Sequence, residues 1–254
     1  MSIFLASLNS GSNGNCYYIG NEQDAIFVDA GISCRETERR MFRLGLSMEK
    51  VRAIFISHEH TDHIRGVEFL SRKFRIPVYL SSVTYLNSSL DIESGLLKIF
   101  SGNEKLKIGS LNVCPFPKLH DGADPFSFTV IADGITAGVF TDIGEACPYL
   151  IDHFGRCHAA FLEANYDEEM LNNGNYPVYL KNRIKSKVGH LSNRQALDLF
   201  NRHKAPFLTH LILSHLSKHN NHPAVVNEVF APHAKGTFIE IASRDEETGV
   251  FRIN

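Results

Sequence analysis

Seven consecutive residues concentrate side chains that bind metal ions: Ser57-His58-Glu59-His60-Thr61-Asp62-His63. They follow the apolar stretch Val51 to Ile56, which predicts a strand that turns directly into a helix. Because side chains spread around such a turn, His58 and His60 can converge on one ion while Asp62 and His63 turn towards a second. Imidazole and carboxylate groups bind zinc, manganese or iron. The segment therefore predicts a metal site, since packing alone gives no reason for this pattern.

The same spacing excludes one familiar class of metalloenzyme. In the H-E-x-x-H motif of metalloproteases, two histidines four residues apart on a helix bind zinc. Here His58 and His60 are only two residues apart, with Glu59 between them. The segment therefore does not indicate a protease of that type.

Length and composition limit the class of protein further. The chain has 254 residues and 43% hydrophobic content, which predicts a single domain spanning residues 1–254. No apolar run is long enough for a membrane span and the N-terminus does not resemble a signal peptide, so we expect a cytoplasmic protein without membrane contact.

Five scattered cysteines without C-x-x-C spacing argue against a disulfide framework. With a net charge of −2, any binding of a polyanion must come from a local basic patch or from metals.

Short apolar runs separated by turns predict two strand meanders, each followed by strand and helix units. The predicted strands are Ile3 to Leu8, Cys16 to Ile19, Ala25 to Val28, Val51 to Ser57, Val78 to Leu80, Leu111 to Phe116, Phe126 to Ala132, Ile135 to Phe140, Ala160 to Leu162, Leu208 to Leu213 and Thr237 to Ala242. The predicted helices cover residues 34–44, 64–74, 145–153 and 193–204. This order predicts an α/β (α+β) fold, a four-layer αββα sandwich of two mixed β-sheets with helices on the outer faces.

Three further predicted strands end in a potential ligand. His120 follows the strand from Leu111, Asp142 follows the strand from Ile135, and His215 follows the strand from Leu208. Loops at one edge of a sheet converge in space. We therefore expect these three residues to join the His58 to His63 segment.

The order of these residues resembles that of the metallo-β-lactamase superfamily, whose motifs also occur at strand ends. The resemblance implies that His58, His60 and His120 hold one divalent metal ion, that Asp62, His63 and His215 hold a second, and that Asp142 bridges both. Asp29 resembles the aspartate of the first motif, which orients the histidine segment without binding metal. The implied cofactors are two zinc or manganese ions, with iron possible.

Two later segments resemble the nuclease branches of this superfamily. Leu162-Glu163-Ala164-Asn165-Tyr166 is similar to the H-E-A-T segment of transfer-RNA 3′-processing enzymes, although Leu162 replaces the histidine, and Gly189-His190-Leu191-Ser192 resembles their G-H-x-S segment. By this analogy Glu163 orients His190, which donates to a phosphate oxygen or a leaving group. With Asp62, these two residues form the predicted catalytic set. The departure at Leu162 argues against transfer-RNA processing itself.

Specific strings are similar to the YycJ-like (WalJ-like) subfamily. They are Ser7 to Cys16 (SLNSGSNGNC), Asp29 to Ser33 (DAGIS) and Leu213 to Asn221 (LSHLSKHNN). Members of this subfamily are regarded as 5′-to-3′ DNA exonucleases linked to mismatch repair. The resemblance therefore implies an exonuclease that binds DNA at a local site and attacks the phosphodiester with a metal-bridging hydroxide.

Side chains near the predicted ligands are candidates for substrate binding. They are Ser10, Ser12 and Asn15 in the glycine-rich loop, Ser192 after His190, and Asn220 and Asn221 after His215. Backbone N–H groups of such a loop can bind an anion, but an ordinary hairpin turn accounts for the same glycines equally well.

Two other functions remain open from the sequence. The first is a metallohydrolase of a small cyclic phosphodiester, thioester or lactone, which the near-neutral net charge favours. The second is a di-iron member of the same fold that binds oxygen and receives electrons. A two-metal centre suits a phosphodiester, because the ions neutralise both the attacking and the leaving oxygen.

Overall fold

The computed structural model describes residues 2–254, and its first sheet has seven strands. These are β1 (Ile3–Asn9), β2 (Cys16–Gly20), β3 (Ala25–Val28), β4 (Val51–Phe55), β5 (Val78–Leu80), β6 (Leu97–Ile99) and β14 (Phe251–Ile253). They lie in the order β14-β1-β2-β3-β4-β5-β6. Pairing is antiparallel from β14 to β3 and parallel from β3 to β6, so the sheet is mixed.

The second sheet repeats this arrangement with the other seven strands. These are β7 (Leu106–Ile108), β8 (Leu111–Pro117), β9 (Phe126–Ala132), β10 (Ile135–Phe140), β11 (Ala159–Glu163), β12 (His210–Ser214) and β13 (Phe238–Ile241). The order is β13-β12-β11-β10-β9-β8-β7, antiparallel from β7 to β10 and parallel from β10 to β13. The predicted similarity of the two halves therefore extends to strand order and direction.

The α-helices connect the parallel strands and follow the metal-binding segment. They are α1 (Cys34–Arg43), α2 (Thr61–Ile64), α3 (Val67–Phe74), α4 (Ser82–Asn87), α5 (Pro148–Phe154), α6 (Glu168–Asn173), α7 (Val178–Ile184), α8 (Asn193–His203) and α9 (Pro223–Phe230). Among the described residues, none of these helices combines the length and apolar character needed to cross a bilayer.

Three apolar layers hold the sheets and helices together. Alternate residues of β3 belong to different layers: Ile26 packs between the two sheets, whereas Phe27 packs between the first sheet and the helices outside it. The central layer joins side chains from both sheets, including Phe55 and Phe128. Outer layers join the first sheet to α1 and α3, and the second sheet to α5, α8 and α9. The predicted αββα sandwich is confirmed, and the single domain stays a prediction that the shared central layer supports.

Several predicted boundaries were wrong for local reasons. The helix predicted over residues 64–74 is divided into α2 and α3 at Gly66, where a Cβ would lie 2.0 Å from the Ile32 carbonyl oxygen. The helix predicted from Glu145 begins at Pro148 instead, because Glu145 forms a β-bridge with Leu119. The prediction omitted α4, α6, α7, α9, β6, β7 and β14, which are three to eight residues long and too short to show periodicity.

Candidate metal centre

The candidate site lies where strands of both sheets end. In the first sheet β3 leads into Asp29 and β4 into residues 57–63, while β8, β10 and β12 of the second sheet lead into His120, Asp142 and His215. Asp29, Asp142 and His215 each have a positive φ, of 60°, 57° and 59°. Non-glycine residues seldom adopt this left-handed conformation without support from their surroundings. Local contacts must therefore fix the backbone at three of the predicted site residues.

Three imidazoles form the first group of donors: His58, His60 and His120. Their candidate ligand atoms all lie within 4.8 Å of one another, and His58 Nε2 is 3.0 Å from His60 Nδ1. His58 and His120 are buried, whereas 33% of the His60 side chain is exposed. Three nitrogen donors with one open side suit a catalytic divalent ion.

A carboxylate and two imidazoles form the second group: Asp62, His63 and His215. Their candidate ligand atoms also lie within 4.8 Å of one another. Asp62 Oδ2 is 3.6 Å from His63 Nε2 and 3.8 Å from His215 Nε2. The helix α2 supplies the first two residues and the end of β12 supplies the third, so this group joins the two sheets.

The Asp142 carboxylate lies between the two groups. Its Oδ1 is 3.8 Å from His120 Nε2 and 3.5 Å from His215 Nδ1, and its Oδ2 is 3.3 Å from His63 Nε2. All seven predicted ligands therefore meet at one edge of the sandwich. Their roles as ligands, and of Asp142 as a bridge, stay predictions that this geometry supports.

The donor atoms fit divalent metal ions. Asp142 Oδ2 and His215 Nε2 are buried and have no hydrogen-bond partner among residues 2–254. Buried polar atoms are almost always paired, because leaving one without a partner costs free energy. A cation at each donor group would satisfy both atoms with ordinary nitrogen and oxygen ligation.

Asp29 orients two histidines of the first sheet. Its Oδ2 accepts a hydrogen bond from His63 Nδ1 at 2.7 Å and another from Ser57 Oγ at 2.9 Å. Ser57 Oγ in turn accepts from His58 Nδ1 at 2.9 Å. With both Nδ1 atoms donating, Nε2 of each imidazole is the nitrogen turned towards the candidate metal site. This contact is the one expected of an orienting aspartate, and Ser57 is a participant that the sequence analysis missed.

Glu163, at the end of β11, plays the corresponding part in the second sheet. Its Oε1 accepts from His190 Nδ1 at 2.8 Å and from His215 Nδ1 at 2.9 Å. Its Oε2 accepts from the backbone N–H of Ile143 at 2.8 Å and of Leu191 at 3.0 Å. The predicted contact with His190 is present, but the contact with His215 was not predicted. Glu163 therefore organises the second sheet's side of the centre.

Leu162, which replaces the histidine of the nuclease segment, is a core residue. Leu162 is fully buried and packs in the apolar layer between the second sheet and its helices. An apolar side chain at this position therefore contributes to the core, and Glu163 makes its contacts without a preceding histidine.

Carboxylates raise the basicity of two of the imidazoles. Burial lowers the pKa of His215, but the neighbouring carboxylates of Asp142, Asp62 and Glu163 outweigh burial and raise the pKa to about 10. Burial likewise lowers the pKa of His63, but the carboxylates of Asp29 and Asp142 hold it well above its usual range. The protein without cations therefore neutralises its carboxylates by keeping protons on these two imidazoles.

The other buried histidines of the centre stay neutral. Burial holds the pKa of His58 well below its usual range and lowers the pKa of His120 to about 4. His120 Nδ1 donates to the Gly189 carbonyl oxygen at 3.0 Å, which leaves Nε2 as the free nitrogen. Both imidazoles are therefore in the form that ligates a metal at neutral pH.

The predicted substrate-binding residues of the glycine-rich loop divide into two kinds. Ser10 and Asn15 are buried, whereas Ser12 is exposed. Ser10 Oγ accepts from the backbone N–H of His215 at 2.7 Å, and Asn15 Nδ2 donates to Asp62 Oδ2 at 3.2 Å. These two residues therefore position predicted ligands, and substrate contact stays a prediction for Ser12.

The other predicted substrate-binding residues are buried in structural contacts. Ser192 caps α8 by accepting from the Gln195 backbone N–H, and Asn221 Nδ2 donates to the Ala164 carbonyl oxygen at 2.8 Å. The Asn220 carbonyl oxygen accepts from the backbone N–H of Asp167 at 2.8 Å. These contacts tie the Ser192 and Asn221 side chains and the Asn220 backbone into the loops behind the centre, and direct substrate contact stays a prediction for all three residues.

Sequence analysis missed a buried lysine beside the centre. Lys118 is 5% exposed, and its Nζ donates to the Thr141 carbonyl oxygen at 2.7 Å, next to Asp142. Burial lowers the pKa of Lys118. No motif identified this residue, because its place depends on how β8 and β10 lie relative to each other in the folded sheet.

The chain belongs to the beta-lactamase superfamily, because the superfamily domain matches residues 25–215. With the metal-ligand clusters described above, the protein is a metal-dependent hydrolase. Exodeoxyribonuclease YycJ of Bacillus anthracis is 33% identical over 224 residues, which cover 87% of this chain and 85% of that protein. Exodeoxyribonuclease WalJ of Streptococcus pneumoniae is 31% identical over 232 residues, which cover 87% and 86%. The predicted membership of the YycJ-like group is confirmed.

Solved structures show the same fold at low sequence identity. The Zn²⁺-bound PqqB from Methylobacterium extorquens superposes with a TM-score of 0.75 at 12% identity, over 99% of both chains. The metallo-beta-lactamase fold protein YhfI from Bacillus subtilis superposes with a TM-score of 0.74 at 16% identity, also over 99% of both chains.

Asp29→Asn tests the orienting contacts of the first sheet. The substitution weakens the hold on His63 and, through Ser57, on His58, so we expect metal affinity to fall roughly 10- to 100-fold. Competition with a chelating dye measures the affinity, and elemental analysis measures the metal content. Asp198→Asn on α8 is the matched control, because its ion pair with Arg202 is exposed. Metal binding of wild-type strength in Asp29→Asn would contradict this role.

Metal binding should release protons, because a cation must displace those held by His63 and His215. Both imidazoles have raised pKa values, about 10 for His215, so protons compete with the metal throughout the neutral range. Affinity should therefore rise with pH between about pH 6 and 9, by about tenfold per pH unit for each proton released. Titration calorimetry in buffers of different ionisation enthalpy counts the protons. An affinity that does not change with pH would show that these imidazoles are neutral before metal binds.

Proposed function

We propose that this protein is a dinuclear metal-dependent DNA exonuclease that acts from the 5′ end, uses zinc or manganese, and works in the cytoplasm. The observation that carries the proposal is the Asp142 carboxylate between two groups of donors, with His190 Nδ1 3.9 Å from Asp142 Oδ1. When bound, the two cations supply an activated water at neutral pH and neutralise charge on a phosphodiester. The remaining steps fall to side chains of the protein.

His190 is suited to act on the leaving group. Its Nδ1 donates to Glu163 Oε1, so Nε2 is the nitrogen left for a phosphate oxygen or leaving group. The side chain is 18% exposed, whereas Glu163 is fully buried. A buried carboxylate that fixes an accessible imidazole supports a role in general acid catalysis.

A positively charged stretch beside the centre supports a nucleic-acid substrate. Between Glu169 and Asp198 the sequence has no acidic residue and five basic ones: Lys181, Arg183, Lys185, Lys187 and Arg194. Arg183 Nη2 pairs with Asp121 Oδ2 at 2.5 Å, and Asp121 Oδ1 is 3.3 Å from His120 Nε2. One helical turn before Arg183, Tyr179 is 74% exposed and offers a ring on which a base can stack. The names of the YycJ and WalJ relatives point to the same class of substrate.

A directional nuclease assay tests the proposal. Purified protein loaded with zinc or manganese should release label first from 5′-labelled DNA, and Asp142→Ala should abolish the activity because the two donor groups lose their shared carboxylate. The measurement is product length over time on 5′-labelled and 3′-labelled single and double strands. DNA that stays intact while a control nuclease degrades it would overturn the substrate assignment. Hydrolysis of a small phosphodiester by the same sample would then favour a small-molecule substrate.

Substitutions of His190 and Glu163 separate catalysis from metal binding. We expect His190→Ala to keep its metal and to lower kcat by roughly 10²- to 10⁴-fold, as is typical when an acid or base is lost. Glu163→Gln should lower both kcat and metal affinity, because Glu163 also orients His215. Metal content and the pH profile of kcat are the measurements, with His203→Ala on α8 as a histidine control. Unchanged kcat in His190→Ala would exclude His190 from the reaction.

A further inference from the structure

A cavity of about 250 Å³ lies between the loop after β12, which begins next to the predicted ligand His215, and the segment after β13. Its wall includes Leu216, Ser217, Lys218, Ser243, Arg244 and Asp245. Two of these side chains are cationic and one is anionic. The cavity therefore has an excess of positive charge, in a protein whose net charge is −2.

Arg244 is the unusual residue in this wall. Its Nη1 is buried and has no hydrogen-bond partner among residues 2–254. A guanidinium nitrogen withdrawn from water without an acceptor is costly, and buried charges are normally paired. Arg244 therefore lines the cavity with a guanidinium that lacks an acceptor at Nη1, and an anion in the cavity is the acceptor that its side chain could turn to meet.

Arg40, a buried arginine of the same region, shows the usual arrangement. Arg40 is 5% exposed, and each of its three nitrogens donates a hydrogen bond. Its Nε donates to Glu36 Oε1 at 2.7 Å, Nη1 to Asn9 Oδ1 at 2.9 Å, and Nη2 to the Asp245 carbonyl oxygen at 2.9 Å. The free nitrogen of Arg244 is therefore not a general property of arginines in this part of the fold.

Two serine hydroxyl groups in the same wall can donate hydrogen bonds to a ligand. Ser243 Oγ accepts from the backbone N–H of Asp245 at 3.0 Å and of Glu246 at 3.2 Å. Ser217 Oγ accepts from the backbone N–H of Asn220 at 3.3 Å. Because backbone donors occupy the oxygens, each hydroxyl hydrogen is left to point at a ligand. Two hydroxyls, one ammonium and one guanidinium are a donor set suited to phosphate oxygens.

The glycine-rich loop connects this cavity to the metal centre. Asn13 Nδ2 donates to the Arg244 carbonyl oxygen at 2.7 Å, and the Ser10 N–H donates to the Ser243 carbonyl oxygen at 3.1 Å. Ser10 also holds the backbone of His215, and Leu216 in the cavity wall is the next residue in the chain. Ser10 and the chain itself therefore join the cavity wall to the predicted ligand His215.

We propose that Arg244 and Lys218 bind a phosphate group of the DNA strand next to the phosphate that is cleaved. This inference rests on the proposed function and adds a second phosphate site to it. The bound group is either the terminal 5′-phosphate or an internucleotide phosphate, which present the same oxygens to a guanidinium. The Asp245 carboxylate repels a bound phosphate, but the positive charges of Arg244 and Lys218 outweigh that one negative charge.

Arg244→Ala tests the site, with Arg244→Lys as the variant that keeps the charge but not the planar fork. Binding is measured by fluorescence anisotropy on the metal-loaded protein, with phosphorothioate oligonucleotides that carry a 5′-phosphate or a 5′-hydroxyl. Arg244→Ala should raise Kd roughly tenfold and reduce the slope of log Kd against log salt by about one, with a smaller change for Arg244→Lys. Arg156→Ala, just after α5, is the control, because that exposed arginine forms an ion pair with Asp152.

The two oligonucleotides distinguish the source of the phosphate. If the site takes the terminal group, wild type prefers the 5′-phosphate and Arg244→Ala loses the preference. If it takes an internucleotide group, Arg244→Ala weakens both oligonucleotides equally. Wild-type Kd and salt slope in Arg244→Ala and Arg244→Lys would overturn the inference, whether or not Tm changes. Wild-type protein that neither binds nor cleaves DNA would instead overturn the proposed function, and the site with it.

Discussion

Negative charge concentrated at one edge of the sandwich is the constraint on which the rest of the structure depends. The carboxylates of Asp29, Asp142 and Glu163 are buried there, and Asp62 lies beside them. Buried charges of one sign persist only when countercharges and hydrogen bonds compensate them. In the protein without metal, protons on the imidazoles compensate the negative charge. Divalent cations would compensate it with a larger positive charge in the same space. The fold is therefore built around a requirement for cations.

Each sheet meets this requirement with one buried carboxylate that orients its own histidines. Asp29 at the end of β3 holds His63 directly and His58 through Ser57. Glu163 at the end of β11 holds His215 and His190. The two sheets have the same pattern of strand directions, so the same device occurs once in each half of the chain. Because each carboxylate contacts more than one side chain, the predicted metal ligands and the proposed general acid His190 depend on the same two carboxylates.

The sequence predicted the features that depend on a local residue pattern and missed those that depend on how distant segments pack in the folded chain. Strand ends predicted His120, Asp142 and His215, because a histidine or aspartate within a few residues of the end of an apolar strand lies at the sheet edge, where loops converge. The places of Lys118 and Arg244 were not predictable, since their environments come from elements far apart in the chain. Buried asparagines such as Asn221 resembled binding residues because the same amide groups serve loops and ligands.

Charge also fixes the order in which ligands can bind. The carboxylates of the centre repel phosphate, and the net charge of −2 gives no attraction at long range. Divalent cations reverse the sign at the centre, so a phosphodiester gains a favourable site only after metal has bound. By linkage, a bound phosphate must strengthen metal binding by the same factor. The basic residues between Lys181 and Arg194 carry their charge whether or not metal is bound, so under the proposed function they would give a strand weak, salt-sensitive contact before metal binds.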